Sequence, residues 1–132
     1  MKKVLFVILV LAALTLAACG GSKATATLAT VPDDYAGKTN PLGADAATAG
    51  AEVFKTNCET CHGPLGHGDG PAGVALDPQP KNLAVFAPTV GDDYLYWRVN
   101  TGKEGTSMVA WKGVLTDEQI WQVIAFVRTL KP

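Results

Sequence analysis

Two cysteines and a histidine stand together near the middle of the chain, in the run Cys58-Glu59-Thr60-Cys61-His62. This is the C-x-x-C-H pattern by which haem is attached covalently to a polypeptide. The two thiols would add to the two vinyl groups of the porphyrin and form thioethers. The imidazole of His62 would then be held beneath the iron, where one ring nitrogen can serve as an axial ligand. The spacing therefore predicts one covalently bound haem c.

Two other chemistries use the same residue types. A Cys-x-x-Cys pair can be a redox-active dithiol, but that function is typical of a βαβ context, and no strand-rich run lies near the two cysteines. A structural zinc site needs four ligands, for which Cys58, Cys61, His62 and His67 could be nominated. No second Cys/His pair follows at the spacing of a zinc finger. Haem attachment is therefore the favoured interpretation.

The first residues have the organisation of a secretory signal. Lys2 and Lys3 precede an uncharged apolar stretch from Val4 to Ala18, which ends in small residues. These 15 residues would span only about 22 Å as a helix, against roughly 30 Å of membrane hydrocarbon. The pattern therefore favours a cleaved signal peptide, residues 1–18, over a membrane-spanning helix.

Cys19 follows Leu-Ala-Ala and precedes Gly20, which resembles the bacterial lipoprotein signal, in which the Cys thiol is lipidated and becomes the mature N-terminus. An ordinary signal peptide that happens to contain Cys19 is the alternative. Lipidation would also account for the odd number of cysteines, because two of the three would bind haem and one would carry lipid. We therefore expect an exported protein, anchored by lipid to the extracytoplasmic side of a bacterial membrane.

The net charge argues against some classes of function, and the composition divides the chain into a tether and a domain. Removal of residues 1–18 takes away two lysines and leaves 9 basic and 12 acidic side chains, a net charge of −3. Since there is no basic stripe, nucleic-acid binding has no electrostatic support. Residues 19–44 are expected to form the lipidated Cys and a flexible tether, because residues 20–44 are rich in Gly, Ala, Thr and Pro. Residues 45–132 remain as one small haem domain, whose marginal core a bound haem would stabilise.

Three segments show helical patterns. A helix is predicted over residues 45–61, with Asp45 as N-cap and with Gly50 where another helix crosses closely. The last helix is predicted to begin at the capping box Thr116-Asp117-Glu118-Gln119, after which apolar residues recur at three- and four-residue intervals. A shorter aromatic helix is predicted over residues 92–100, ended by Gly102. No strand is predicted, so the fold class is all-α.

The haem-binding part resembles a class I c-type cytochrome over nearly all of residues 45–132. The match comprises Gly50 and Phe54 ahead of CETCHG, the Gly/Pro loop after it, Met108 with Ala110-Trp111, and LTDEQIWQVIAFVRTL at the end. The resemblance implies three main helices around one haem, with the N- and C-terminal helices crossing where Gly50 and Phe54 meet the Val123/Phe126 region. The loop GPLGHGDGPAG and Lys81-Asn82-Leu83 are also similar to mono-haem subunits of respiratory complexes, such as alternative complex III and bacterial terminal oxidases.

Met108 is the candidate for the second axial position. A lone Met is usually core packing, but this one stands in the turn-like run Gly105-Thr106-Ser107-Met108, and the resemblance implies that it binds iron. The family often has Pro directly after this Met, where this chain has Val109. His67 is a poorer candidate, because it lies only five residues beyond His62 and would hardly reach the opposite haem face. We expect it to be satisfied elsewhere or to face solvent.

Four further residues are candidates for supporting contacts. By the resemblance, the carbonyl of Pro71 accepts from the other ring nitrogen of His62, with Pro78 or Pro80 as alternatives. Trp97, Arg98 and Trp111 are candidates for packing on the haem and for hydrogen bonds to its propionates, the alternative being core aromatics and a solvated Arg. The G-x-G-x-x-G run at residues 68–73 follows no strand and opens no helix, so it is interpreted as a turn-rich loop and not as a nucleotide site.

These features predict a lipid-anchored mono-haem protein that passes single electrons between redox partners in a respiratory or photosynthetic electron-transport chain. Its iron would be held by His62 and Met108, and no catalytic residue is predicted. A haem enzyme or gas-binding sensor with a displaceable sixth ligand is the alternative. A third possibility is a fixed subunit of a larger respiratory complex, which the sequence does not separate from a free carrier.

Overall fold

The computed structural model of the protein describes residues 28–43 and 45–132. Over these ranges the chain forms five α-helices and two short 3-10 turns, at Gly73–Ala75 and Ala87–Thr89. The helices are α1 (Ala46–Asn57), α2 (Glu59–His62), α3 (Leu83–Phe86), α4 (Asp92–Thr101) and α5 (Asp117–Val127). The described ranges contain no β-strand, only an isolated bridge between Lys112 and Leu115. The expected signal peptide, residues 1–18, and Cys19 lie outside them.

The C-terminal helix α5 begins where the sequence predicts it. The Thr116 hydroxyl accepts a hydrogen bond from the Gln119 N–H at 3.2 Å, and the Gln119 side chain accepts one from the Thr116 N–H at 2.9 Å. This reciprocal pair is the predicted capping box. The buried face of α5 carries apolar side chains at helical spacing, with Ile120, Val123 and Ile124 at most 2% exposed. Helix α5 therefore supplies one wall of the core.

Helix α1 packs across α5, as the resemblance implied. The two helices form the most extensive helix–helix contact in the described part of the chain. The rings of Phe54 and Phe126 meet at 5.1 Å between centroids, and Gly50 lies against the backbone of Gln122. The predicted meeting of the N- and C-terminal helices is therefore confirmed.

The predicted helix over residues 45–61 is divided in the structure. Helix α1 ends at Asn57, because Cys58 leaves helical geometry at φ −120° and ψ −33°, and the separate turn α2 follows. Asp45 occupies the N-cap position, but its side chain makes no capping hydrogen bond. Because of this break, the C-x-x-C-H segment does not continue the axis of α1.

Helix α4 is tied to α5 through Arg128. The Arg128 guanidinium forms a salt bridge with Asp92 at 2.7 Å and donates to the carbonyls of Ala87 and Val90. The other end of α4 is closed by Gly102, whose φ of +72° is a left-handed conformation that suits glycine. Both boundaries of α4 agree with the predicted ones to within one residue.

Residues 32–42, here called the N-terminal strap, differ from the expected flexible tether. The Tyr35 hydroxyl donates to Asn100 Oδ1 at 3.1 Å, and the Asn40 amide donates to the Trp121 carbonyl at 2.8 Å. The side chains of Tyr35 and Leu42 also pack on the core. Composition alone predicted a tether because the segment has few apolar groups, but these few are enough to fix the strap on α4 and α5.

Among residues 28–43 and 45–132, none of the helices is both long and apolar enough to cross a membrane.

Candidate functional site

A cavity of about 310 Å³ lies within the helical domain. That volume is at the lower end of the range of about 300–1,000 Å³ that is typical of small-molecule and cofactor pockets. Cys58, Cys61, His62 and Met108 all line it, although Met108 is far from the others along the chain. Apolar side chains of α4 and α5 complete much of the wall, among them Leu95, Val99, Val123, Ile124 and Val127. The fold thus gathers the predicted ligands around one largely apolar space.

The C-x-x-C-H segment faces this cavity because it is wound into a helical turn. The N–H of His62 donates to the carbonyl of Cys58 at 2.9 Å, and the N–H of Cys58 donates to Phe54 at the end of α1 at 2.8 Å. Residues three and four positions apart in a helix share a face. Cys58, Cys61 and His62 therefore point the same way.

The glycine-rich loop after α2 packs on the backbone of that turn. The Ala72 N–H donates to the Thr60 carbonyl at 2.9 Å, and the Gly68 N–H donates to the His62 carbonyl at 2.8 Å. A Cβ atom at Gly70 would lie 2.5 Å from the Thr60 oxygen, and one at Gly73 would overlap the Cys61 carbonyl. The loop thus satisfies carbonyls that the end of a short helix leaves free. Its glycines serve this close approach, which agrees with the interpretation as a turn-rich loop.

The surroundings of Cys58 do not favour a reactive thiolate. Burial, together with the neighbouring Cys61, raises the pKa of the Cys58 thiol to about 12. Catalytic and redox cysteines have a lowered thiol pKa, because the thiolate is the reactive form. The structure therefore gives no support to the dithiol alternative.

The zinc alternative also lacks support. Within the described ranges no group of three or more His, Cys, Asp or Glu side chains is arranged to hold a metal ion. His67 lies outside the cavity wall, with its Nε2 3.4 Å from the Lys131 carbonyl oxygen. Among the described residues, His67 therefore lies apart from the other three nominated zinc ligands.

The chemistry around His62 fits a haem ligand. Burial lowers the pKa of His62, while the nearby backbone of Lys81 acts in the opposite direction. The net effect favours the neutral imidazole, the form that can donate a lone pair to iron. Its Nδ1 is buried and has no hydrogen-bond partner among the described residues. The residues present therefore fit a covalent haem: two thiols and a neutral imidazole on one turn, facing an apolar cavity.

The remaining predicted residues divide into two groups. Arg98 and Trp111 line the cavity beside Met108, whereas Trp97 and Pro71 do not. Trp97 instead supports Arg98, whose guanidinium carbon lies 3.6 Å from the centroid of the Trp97 ring. Pro71 is exposed in the loop behind α2, while Pro78, Pro80 and Lys81 do line the cavity. The structure thus brings the alternatives to the cavity and leaves Pro71 outside its wall.

Sequence reasoning missed the charge pattern of the wall. Lys81, Arg98 and Lys103 line the cavity, and no Asp or Glu of the described residues does so. Three cations and no carboxylate form a wall that suits the negative propionates of a haem. Nothing in the sequence marks Lys103, which simply follows the helix-ending Gly102. Lys103 reaches the cavity wall because the loop that follows α4 folds back to the cavity.

Comparison with known proteins agrees with this site. The sequence model of the family described as "Cytochrome C oxidase, cbb3-type, subunit III" matches residues 45–127. Cytochrome c6 of Thermosynechococcus vestitus and that of Thermostichus vulcanus are each 37% identical to this chain over 86 residues, covering 65% of this chain and 70% of the relative. Cytochrome c6 of Synechococcus elongatus is 37% identical over 78 residues, covering 59% and 83%.

One solved structure has a similar fold. A chain of the Kuenenia stuttgartiensis reducing HAO-like protein complex superposes with a TM-score of 0.59 at 26% identity, over 70% of this chain. This chain spans 47% of that one, so the likeness concerns the shared domain. The predicted all-α cytochrome c fold, the covalent haem c and an electron-transfer function without catalysis are confirmed by these relationships. The chain belongs to the class I c-type cytochromes.

Proposed function

We propose that this cytochrome is a lipid-anchored, mono-haem electron carrier whose iron is held by His62 and Met108. The observation that carries the proposal is that Met108 lines the same cavity as Cys58, Cys61 and His62. Apart from Met1, it is the only methionine in the sequence. A thioether and an imidazole are the axial pair typical of cytochromes that transfer electrons at high potential.

The chain's own residues have simple tasks in this proposal. When bound, haem c supplies reversible exchange of one electron at iron. His62 stays neutral through burial and offers a lone pair, while the apolar side chains around the cavity exclude water. Arg98 and Lys103 on the wall would neutralise the haem carboxylates. If His62 and Met108 both held the iron, they would leave no place on it for a substrate or a gas.

The ligation is tested by substitution of Met108. We expect the oxidised wild-type protein to show the near-infrared Met-to-iron charge-transfer band, and Met108→Ala to lose the band and to have a lower midpoint potential. Val114→Ala is the matched control, because Val114 follows in the same loop, is 67% exposed and does not line the cavity. An unchanged potential in Met108→Ala, with no band in the wild type, would show that this ligation is wrong. Tight carbon monoxide binding by the reduced wild type at neutral pH would instead support the sensor or enzyme.

The anchor is supported by the run Leu16-Ala17-Ala18-Cys19, which lies outside the described residues. We expect Cys19→Ser to move the haem-loaded protein from the membrane fraction to the soluble fraction, since the acyl chains hold it there. Ser22→Ala, three residues further on, should leave it in the membrane. A Cys19→Ser protein that stays membrane-bound without detergent, although its mass shows that residues 1–18 have been removed, would contradict lipid anchoring. Copurification of the wild type with membrane subunits would identify a fixed subunit of a complex, whereas isolation alone would identify a carrier.

A further inference from the structure

We propose that Thr106 is a positioning residue for Met108: its hydroxyl holds the Met108 backbone at the cavity wall. The inference rests on the proposed ligation of iron by Met108 and adds to it the group that keeps the thioether in place. The residues concerned form the ligand loop, defined here as residues 102–110.

The Thr106 hydroxyl bridges two backbone groups of the ligand loop. It donates a hydrogen bond to the Lys103 carbonyl at 2.7 Å and accepts one from the Met108 N–H at 3.2 Å. The N–H of Lys103 in turn donates to the Met108 carbonyl at 3.0 Å. Both backbone polar groups of Met108 are therefore held, one by a side chain and one by the main chain. Irregular loops are usually more mobile than the helices they join. These three hydrogen bonds, here called the clamp, should therefore restrict the movement of the Met108 backbone.

The ligand loop is also fixed to helix α4. A Cβ atom at Gly102 would lie 2.5 Å from the Met108 oxygen, so the returning backbone rests directly on the end of the helix. Just beyond the loop, the Trp111 N–H donates to the Val99 carbonyl at 3.1 Å. Val99 lines the cavity. The clamp around Thr106 is thus held relative to the cavity wall and not only within its own turn.

The clamp should act on the equilibrium between a bound and a detached Met108. The side chain of Met108 is half-buried at the cavity, and Thr106 lines the same wall. Loss of the hydroxyl would leave the Met108 N–H without its acceptor and would free the backbone to rotate. Release of the Met108 thioether would leave the iron open to an added ligand. The apparent affinity of the oxidised protein for imidazole therefore measures how firmly Met108 is held.

Thr106→Val removes the hydroxyl at nearly constant shape. We expect its oxidised haem-loaded form to bind imidazole roughly two- to tenfold more tightly than the wild type, the effect of one lost hydrogen bond. Thr106→Ser keeps the hydroxyl and should restore the wild-type affinity. Thr129→Val is the matched control, because the Thr129 hydroxyl also donates to a carbonyl three residues back, that of Phe126 at 2.7 Å, but lies outside the cavity. It should leave imidazole affinity unchanged.

Amide hydrogen exchange gives a second measurement that does not depend on an added ligand. In the wild type the Met108 amide should exchange more slowly than the amide of Glu104, which donates no hydrogen bond within the described residues. This protection should fall in Thr106→Val and return in Thr106→Ser. If Thr106→Val does not fold, the wild type alone provides the test. The proposal is overturned if its Met108 amide exchanges as fast as its Glu104 amide.

Failure of the clamp and failure of the ligation give different results. The wild type could show the Met-to-iron band while Thr106→Val binds imidazole no more tightly than the wild type. That result would overturn the positioning function of Thr106 and leave ligation by Met108 intact. A wild type without the band overturns ligation by Met108 and the inference with it. If Thr129→Val and Thr106→Val gain imidazole affinity equally, the gain comes from general destabilisation of the protein. That result would also overturn the proposal.

Discussion

Gly50 of α1 lies directly against the backbone carbonyl of Gln122 in α5. A Cβ atom at position 50 would overlap that carbonyl and would come within 3.0 Å of the Phe126 Cβ. This approach brings the two helices together where Phe54 packs on Phe126. Phe54 is 2% exposed and lines the haem cavity, so the contact at Gly50 helps to shape the cavity itself.

Gly50→Ala should therefore destabilise the protein. Alanine favours a helix over glycine by about 1 kcal/mol. Overpacking costs roughly 1–3 kcal/mol, and here the obstacle is a backbone carbonyl that cannot turn aside as a side chain can. We expect a net loss of free energy of unfolding, measured by urea denaturation of the haem-loaded protein. Gly43→Ala is the control, since no atom lies within 4 Å of a Cβ there. A Gly50→Ala protein as stable as the wild type would show that the helices can move apart freely.

Asp92 should make stability depend on pH at the acidic end. Burial alone would raise the pKa of this carboxyl, but the Asn40 N–H and the Arg128 guanidinium together hold it below its ordinary value of 3.8. A lowered pKa in the folded state stabilises the fold above the unfolded pKa, and the contribution is lost as the pH falls through the folded pKa. Asp92→Asn should therefore lower stability by roughly 1–2 kcal/mol at neutral pH.

The pH dependence of this difference is the measurement. The gap in unfolding free energy between wild type and Asp92→Asn should be constant at neutral pH and should shrink as the pH falls below about 4. Asp33→Asn, at an exposed carboxyl of the strap, should differ little from the wild type at any pH. A gap for Asp92→Asn that stays the same down to the lowest measurable pH would contradict the assigned cause.

The elements that the sequence predicts well are those with local signals. The capping box at Thr116 depends on residues three positions apart, and the three- and four-residue spacing of apolar side chains after it depends only on helix geometry. Gly50 was informative because a glycine is costly inside a helix unless something needs the space. The C-x-x-C-H turn is equally local. The residues that determine each of these elements lie within one or two helical turns of one another, so the local sequence is enough to predict the element.

Other features depend on contacts between distant parts of the chain. The N-terminal strap is ordered by Tyr35 and Asn40, whose partners Asn100 and Trp121 lie 65 and 81 residues further on. Composition cannot reveal such pairs. The stacking of Arg98 on Trp97 places only one of the two residues at the cavity, although both were equal candidates. Ligation by Met108 and the roles of Pro71 and Trp111 remain predictions.

The packing of the strap can be tested at Asn40. Its amide donates to the Trp121 carbonyl at 2.8 Å, and its Oδ1 accepts from the Leu42 N–H at 2.9 Å. Asn40→Ala should lower the free energy of unfolding by roughly 1–3 kcal/mol, because a partly buried carbonyl loses its donor. It should also speed proteolysis within residues 28–42. Thr39→Ala is the control, an exposed neighbour without a hydrogen bond within the described residues. Rapid proteolysis of this segment in the wild type would instead restore the flexible tether.

Gly73 offers a test of how the loop behind α2 supports haem attachment. A Cβ atom at this position would overlap the Cys61 carbonyl and approach the Pro80 side chain to 3.2 Å. The φ of Gly73 is not positive, so alanine there would meet only this contact and no backbone strain. To relieve the contact, the loop or the C-x-x-C-H turn must move, and the thiol of Cys61 moves with that turn.

We therefore expect Gly73→Ala to carry less covalent haem per polypeptide than the wild type and to lose roughly 1–3 kcal/mol of stability in the fraction that is loaded. The haem content is measured as haem absorbance relative to protein mass after denaturation, which retains only covalently attached haem. Val74→Ala, at the adjacent side chain that is 59% exposed, should be loaded like the wild type. Full loading and full stability of Gly73→Ala would mean that the loop yields without disturbing Cys61. The close packing of the loop on α2 would then have no part in holding the thiols for attachment.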